Sequence, residues 1–177
     1  DGRVWESLGS DALRDDDIGL ALERWNKALA AGDENAAVLQ RVAVLEAAEW
    51  FESVDYYFRL PEPRAQRLRS LLNRSIAVAP QQTRPYELLA WVEATAREPD
   101  LENVNRVQRE FARLQDKDRT LLAFALLRMR RQEWDEARKF LGVLTPPERQ
   151  DDVADDARRL LAQVDKLAAA AASAAQA

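Results

Sequence analysis

The residues best suited by type and spacing to do chemistry are acidic. Asp15-Asp16-Asp17 form one cluster, and Asp151-Asp152 with Asp155-Asp156 form another. A calcium loop needs alternating oxygen ligands, a glycine at its sharp turn and a distal glutamate. Neither cluster has that pattern. Both read instead as negative charge at the positive N-terminal ends of helices. The chain has no histidine and no cysteine. This excludes the usual zinc sites and any Cys or His nucleophile–base pair. It also lacks a glycine-rich phosphate loop and a G-x-S-x-G elbow. Arg128-Met129-Arg130-Arg131 is a short basic run. On a helix its side chains spread over more than one face, which suits a solvated surface better than a phosphate patch. The residues therefore predict a protein that is not an enzyme and needs no cofactor or metal.

One stretch stands out for its aromatics, Trp50-Phe51-Glu52-Ser53-Val54-Asp55-Tyr56-Tyr57-Phe58. Tyrosine and tryptophan favour interfaces, where an apolar body and a polar tip both help. The other reading is that an inserted loop builds a small core of its own from these rings.

Whatever these residues do, helices must position them. The chain has 177 residues, enough for one domain with a real core. Apolar residues make up 47% and charged residues 32%, a globular rather than disordered balance. Glycine is scarce while Ala, Leu, Arg and Glu abound, which favours helix throughout. The net charge of −5 comes from well-mixed charges, so there is no basic footprint for nucleic acid. No apolar run is long enough to span a membrane. Arginine far outnumbers lysine, which suggests a GC-rich, bacterial genome. The absence of cysteine suits cytoplasm or periplasm alike.

Periodicity and stop signals predict about nine helices and no sheet. The first two are Val4–Leu13 and Ile18–Ala30, joined by the aspartate turn and ended by Gly32-Asp33. A third runs from Asn35 to about Trp50. Residues 51–63 break the spacing, and a fourth helix runs from Pro63 to Ala79. Pro85 opens a fifth, which Arg97-Glu98-Pro99-Asp100 ends. Val104, Val107, Phe111 and Leu114 mark an amphipathic sixth. Leu121, Phe124 and Ala125 belong to a seventh, and an eighth carries Ala137, Leu141 and Leu144 before Pro146-Pro147. The ninth, about Gln150–Ala168, has Val153, Ala157, Leu160, Leu161 and Val164 on one face and a charged opposite face. The alanine-rich end, 168–177, reads as a helical, loosely attached tail.

Trp5, Leu8, Gly9 and Ala12, followed by Ala21, Trp25, Ala28 and Leu29, resemble the tetratricopeptide repeat (TPR) in type and spacing. That unit is a helix–turn–helix of about 34 residues that stacks into solenoids. Gln132-Glu133-Trp134-Asp135-Glu136-Ala137 resembles the turn and small residue of a later unit. The closing proline of the first unit is replaced by Asp33. The resemblance implies an all-α, right-handed solenoid of about four TPR-like helix pairs over residues 1–167, with an insertion at about 51–63 and a C-terminal capping helix. It places Gly9 against Ala21 where the first two helices cross, with Trp5 and Trp25 filling the space beside them.

The resemblance also implies a function, the binding of a protein or peptide in a concave groove lined by the first helix of each pair. Carried over position by position, the first pair presents Arg3, Glu6 and Ser10, and the second presents Gln40, Val44 and Ala47. The third presents Arg84, Glu87 and Trp91, and the fourth Arg119, Leu122, Leu126, Met129 and Arg130. Some relatives clamp a C-terminal carboxylate with Lys and Asn, but Glu6 and Ser10 stand at those places here. The expected ligand is instead an acidic segment studded with apolar residues, helical or extended. Two bland readings stand beside this one. The leucines pack within the array, and Trp91 is core, wedged near Trp50. A different class of function is a helical module of a larger bacterial enzyme or envelope protein, positioning a catalytic domain or driving assembly. It is motivated by the chain's start at Asp1 without methionine.

Overall fold

A computed structural model of the chain describes residues 1–48 and 56–176. Among them nine α-helices follow one another. They are α1 (Gly2–Arg14), α2 (Ile18–Ala30), α3 (Ala36–Ala48), α4 (Glu62–Val78), α5 (Arg84–Thr95), α6 (Leu101–Glu110), α7 (Lys117–Arg130), α8 (Trp134–Leu144) and α9 (Asp152–Ala175). The fold is all-α. Among the described residues the sole strand-like pairing is an isolated bridge, in which Leu60 N–H donates to the Thr95 carbonyl at 2.8 Å. None of these helices is long and apolar enough to cross a membrane. The part of the aromatic stretch from Trp50 to Asp55 lies outside the described residues.

The helix ends follow from local chemistry. Asp17 caps α2, its carboxylate accepting from Leu20 N–H at 2.9 Å, and Asp151 caps α9 by accepting from Ala154 N–H at 2.9 Å. Both acidic clusters thus supply helix caps. Gly32 closes α2 in the left-handed region, with φ at 84°. The turns after α1 and α7 share one design. Asp16 and Gln132 take left-handed backbones, and Asp17 N–H and Glu133 N–H each reach back five residues, to the carbonyls of Ala12 and Arg128. This pattern satisfies the last carbonyls of a helix and turns the chain sharply. The end of α2 shows it as well, with Gly32 left-handed and Asp33 N–H reaching the Ala28 carbonyl.

Each of α1–α2, α3–α4, α5–α6 and α7–α8 packs as a pair. The odd-numbered helices also touch in series, α3 on α5, α5 on α7 and α7 on α9. Two apolar cores result. The larger joins α1 through α7, and the smaller joins α7, α8 and α9. α7 serves both, which explains why its middle, Leu121 to Leu127, is apolar all round.

One local expectation gains detail and another needs correction. The atoms nearest to a Cβ placed on Gly9 belong to the Trp25 ring, at 2.5 Å, so the glycine makes room for that indole. Trp25 is fully buried and donates its ring N–H to the Glu6 carbonyl at 3.2 Å. Trp5 is only half-buried, with the Lys27 ammonium 4.8 Å from its ring centre. The sixth helix also stops short of Leu114. α6 ends at Glu110, a 3-10 turn follows over Phe111–Arg113, and Leu114 is extended. The cause is tertiary. Arg113 donates to the carbonyls of Pro80 and Gln81, while the Gln115 and Asp116 amides donate to Glu87 at 2.9 and 3.0 Å.

Glu93, on α5, is wholly buried. Arg69 of α4 donates to both its oxygens at 2.9 and 2.8 Å, Asp100 N–H donates at 2.7 Å, and Asn103 of α6 donates at 2.9 Å. Four donors occupy this carboxylate, and its pairing pushes the Arg69 guanidinium up from its ordinary value. Glu93 is a rivet between α4, α5 and α6, with no lone pair to spare for acid–base work.

Candidate functional site

Three odd-numbered helices converge on a concavity of about 220 Å³. α3 contributes Val44, Ala47 and Ala48; α5 contributes Arg84, Glu87, Leu88 and Trp91; Asp116, Arg119 and Thr120 come from the start of α7. The helical spacing explains the α5 set. Residues 84, 87, 88 and 91 repeat at intervals of three and four and so share one face. Trp91 is half-buried and packs on both cores while its ring edges the concavity.

Charge is arranged around this apolar floor. Glu87 is nearly buried, at 5% exposure, and holds the two backbone amides before α7. Its other oxygen accepts from Arg84 at 3.4 Å. Asp116 caps α7 by accepting from Arg119 N–H at 3.2 Å, and its second oxygen lies 3.7 Å from the Arg119 guanidinium. The acidic groups are therefore spent on structure, whereas Arg84 and Arg119 remain about half exposed, at 47% and 50% of their side chains. Each guanidinium is paired with a lining carboxylate, and the cations stand further out than the anions, most clearly Arg84 over the nearly buried Glu87.

Of the residues expected to bind a partner, Arg84, Glu87, Trp91 and Arg119 come together here, with Val44 and Ala47 from the second pair. Leu122, Leu126 and Met129 do not. All three are fully buried, Leu126 in the larger core and Leu122 and Met129 in the smaller. The reason is that α5 and α9 cover α7 from two sides. Arg130 is half-buried and donates to the Ala96 carbonyl at 3.4 Å, at the far end of α5. The rest of the basic run is similarly committed, with Arg128 and Arg131 both on Glu133. Leu88, Ala48, Asp116 and Thr120 were missed. Leu88 carried a readable signal, since it follows Glu87 and precedes Trp91 by one helical step.

The aromatic segment contributes beside this site. Tyr56 is half-buried, packs on both cores and donates its hydroxyl to the Met129 carbonyl at 3.4 Å. Phe58 packs on the larger core, while Tyr57 is 70% exposed. Tyr56 and Phe58 thus join the domain core, and Tyr57 faces water.

Two further concavities continue the face. One, of about 280 Å³, is lined by Leu13, Trp25, Gln40, Arg41, Val44 and Leu45. The other, of about 420 Å³, lies between α3 and the α4–α5 loop and shares Arg84 with the Trp91 site. Arg41 links them, its guanidinium 5.5 Å from the Trp25 ring centre. Among the described residues, no group of three or more acidic side chains is placed to hold a metal ion. In comparisons with known proteins, no family model, no curated protein and no solved structure matches the chain.

Proposed function

We propose that this chain is a right-handed TPR-like solenoid of four helix pairs capped by α9, and that its inner face binds an acidic protein or peptide segment carrying apolar residues. The observation that carries the reading is the Trp91 concavity. An apolar floor drawn from α3, α5 and α7 is rimmed by Arg84 and Arg119, with every nearby carboxylate turned to structural use. Two supports come from the fold. From α3 onward the odd-numbered helices touch in series, as the first helices of stacked pairs do, and the turns after α1 and α7 are alike. Preformed helices present a rigid surface, so the partner bears most of the ordering cost.

A random-sequence peptide library panned against the protein tests this. Enriched sequences are expected to hold Asp or Glu beside Leu, Ile or Phe. Arg84→Ala with Arg119→Ala should weaken those peptides while leaving the melting temperature unchanged, since both guanidiniums are half-exposed. Trp91→Ala should cost roughly 2 kcal/mol or more of binding. Its folding cost should stay below the ~3–5 kcal/mol of a fully buried tryptophan. If the whole of that folding cost appears, Trp91 is a packing residue and the groove has lost its anchor. A library that enriches nothing over a blank surface sinks the reading.

A further inference from the structure

The side of α7 turned away from the Trp91 concavity is incompletely covered. α2 packs on α3, and α4 packs on α5, but α6 scarcely touches α7. The reason is the early end of α6 at Glu110, with Phe111–Arg113 wound into a 3-10 turn. A gap of about 180 Å³ is left, lined by Gln108, Phe111, Leu121, Phe124 and Phe140. Three elements hold its rings in a row. The Phe124 ring centre lies 6.2 Å from that of Phe111 and 6.0 Å from that of Phe140. Phe124 is nearly buried at the bottom, whereas Phe111, Leu121 and Phe140 stay half-buried. At about 100° per residue, Leu121 and Phe124 fall on the far side of α7 from Arg119. The gap is therefore separate from the Trp91 site, and the two share no lining residue. Charge beside it is one-sided. Lys117 lies one helical turn before Leu121 on the same face of α7, and Arg109 follows Gln108. Both are exposed, and neither pairs with another described residue. The carboxylates close by in the chain are already taken, Glu110 by Arg113, Glu136 by Lys139 and Asp118 by Arg149.

We propose that this gap docks an amphipathic helix of a partner protein, with the apolar ridge of that helix on the phenylalanines and one of its carboxylates on Lys117. The proposal stands independently of the inner-face reading. The lining decides the form of the partner. Gln108 is its one polar side chain. An extended segment would bury main-chain N–H and C=O groups there without partners, at a cost for each. A helix has paired those groups internally and can present apolar side chains at i, i+4 and i+7 along one ridge. Seated between α6 and α8, it supplies the cover over α7 that a longer α6 would have given. Charge decides the rim. Exposed cations without a carboxylate favour an acidic helix and repel a lysine-rich one. A second copy of this chain fits less well. The exposed end of its α9, 168–175, holds only alanine and one serine, so it brings neither large apolar side chains nor a carboxylate.

The probe is a displayed library of alanine-based helices with one face randomised, panned against the full chain. Recovered helices should carry Leu, Phe or Met at i, i+4 and i+7 with Glu or Asp beside them. Their binding should shift the Leu121 methyl signals and the Phe111 and Phe140 amide signals in NMR spectra of the chain. Lys117→Glu should weaken them about tenfold, because attraction at the rim becomes repulsion. It should leave the melting temperature unchanged, since Lys117 is exposed. Arg84→Ala with Arg119→Ala should bind them as the parent does. Equal binding by Lys117→Glu, or shifts confined to Trp91 and its neighbours, would overturn the proposal. So would a library that enriches nothing, a result that leaves the inner-face reading standing. A parent chain that sediments as a dimer and turns monomeric on Lys117→Glu would assign the gap to a second copy and overturn it as well.

Discussion

Gly9 and Gly142 are both helical glycines, yet their surroundings give them opposite roles. Beyond the end of the Gly9 backbone lies the Trp25 ring, at 2.5 Å from where a Cβ would stand, and Trp25 is held in place by its bond to Glu6. Around Gly142 there is no atom within 4 Å of that point. In open space, glycine to alanine within a helix gains up to about 1 kcal/mol, because alanine has less chain freedom to lose. Gly142→Ala should therefore raise the urea midpoint by an amount of that order. Gly9→Ala should lower it, by roughly 1–3 kcal/mol, because the indole has to move inside a packed core. Equal midpoints for the two variants would show that the indole does not lean on Gly9. At this scale the sequence was a partial guide. It marked Gly9 as a place for a small residue, but the distance at which the Trp25 ring stands over it required the true angle between α1 and α2.

Between elements, the Glu93 network matters most. It joins α4, α5, the loop before α6 and α6 through a single buried carboxylate. Removing one member of a buried ion pair leaves the other charge without compensation, at a cost of about 3–5 kcal/mol. Glu93→Ala should lower stability by that amount in urea unfolding. It should also loosen the α5–α6 junction, seen as faster hydrogen exchange at the Asp100 and Asn103 amides. A loss below about 1 kcal/mol would show that solvent already screens the pair. Nothing in the sequence distinguished Glu93 from the chain's many other glutamates. Its donors come from positions 69, 100 and 103, and only the folded chain gathers them.

Across the whole molecule, the absence of histidine shapes the response to pH. No side chain has an ordinary pKa between pH 5 and 8, so stability should be flat there. Acid is different. Lys27 holds the Glu23 carboxyl below its usual 4.5, Arg74 does the same for Glu34, and Arg128 with Arg131 does so for Glu133. Arg149 lowers Asp151 below 3.8. A carboxylate with a depressed pKa in the folded state binds protons more readily once unfolded. Its contribution is thus complete above the ordinary value and disappears as pH falls through the folded one. Glu23, Glu34 and Asp151 are exposed and Glu133 is partly so, so each contributes little and salt weakens it. The melting temperature should hold steady from about pH 5.5 to 7.5 and then drop below about pH 4.5, less steeply in high salt. A transition centred near pH 6.5, where ordinary histidines titrate, would contradict this account.

By itself the sequence determined the helices and most of their ends. Ile18–Ala30 was legible to the residue because Asp17 and Gly32 sit at its two boundaries, and a cap acts within one turn. The first and fourth pairs were legible for the same reason, since their spacing and turns are set by residues close in the chain. Part of the Trp91 concavity was legible too, because Arg84, Glu87 and Trp91 share one side of α5 by periodicity alone. Tertiary structure decided what covers each helix. Leu122, Leu126 and Met129 lie on a periodic helix like any other, and only the packing of α5 and α9 over α7 puts them in the cores. α6 ends early because Glu87, far away in sequence, holds the amides of Gln115 and Asp116. Periodicity assigns a side chain to a face of its helix. Whether that face meets water or another helix depends on contacts between residues distant in the chain.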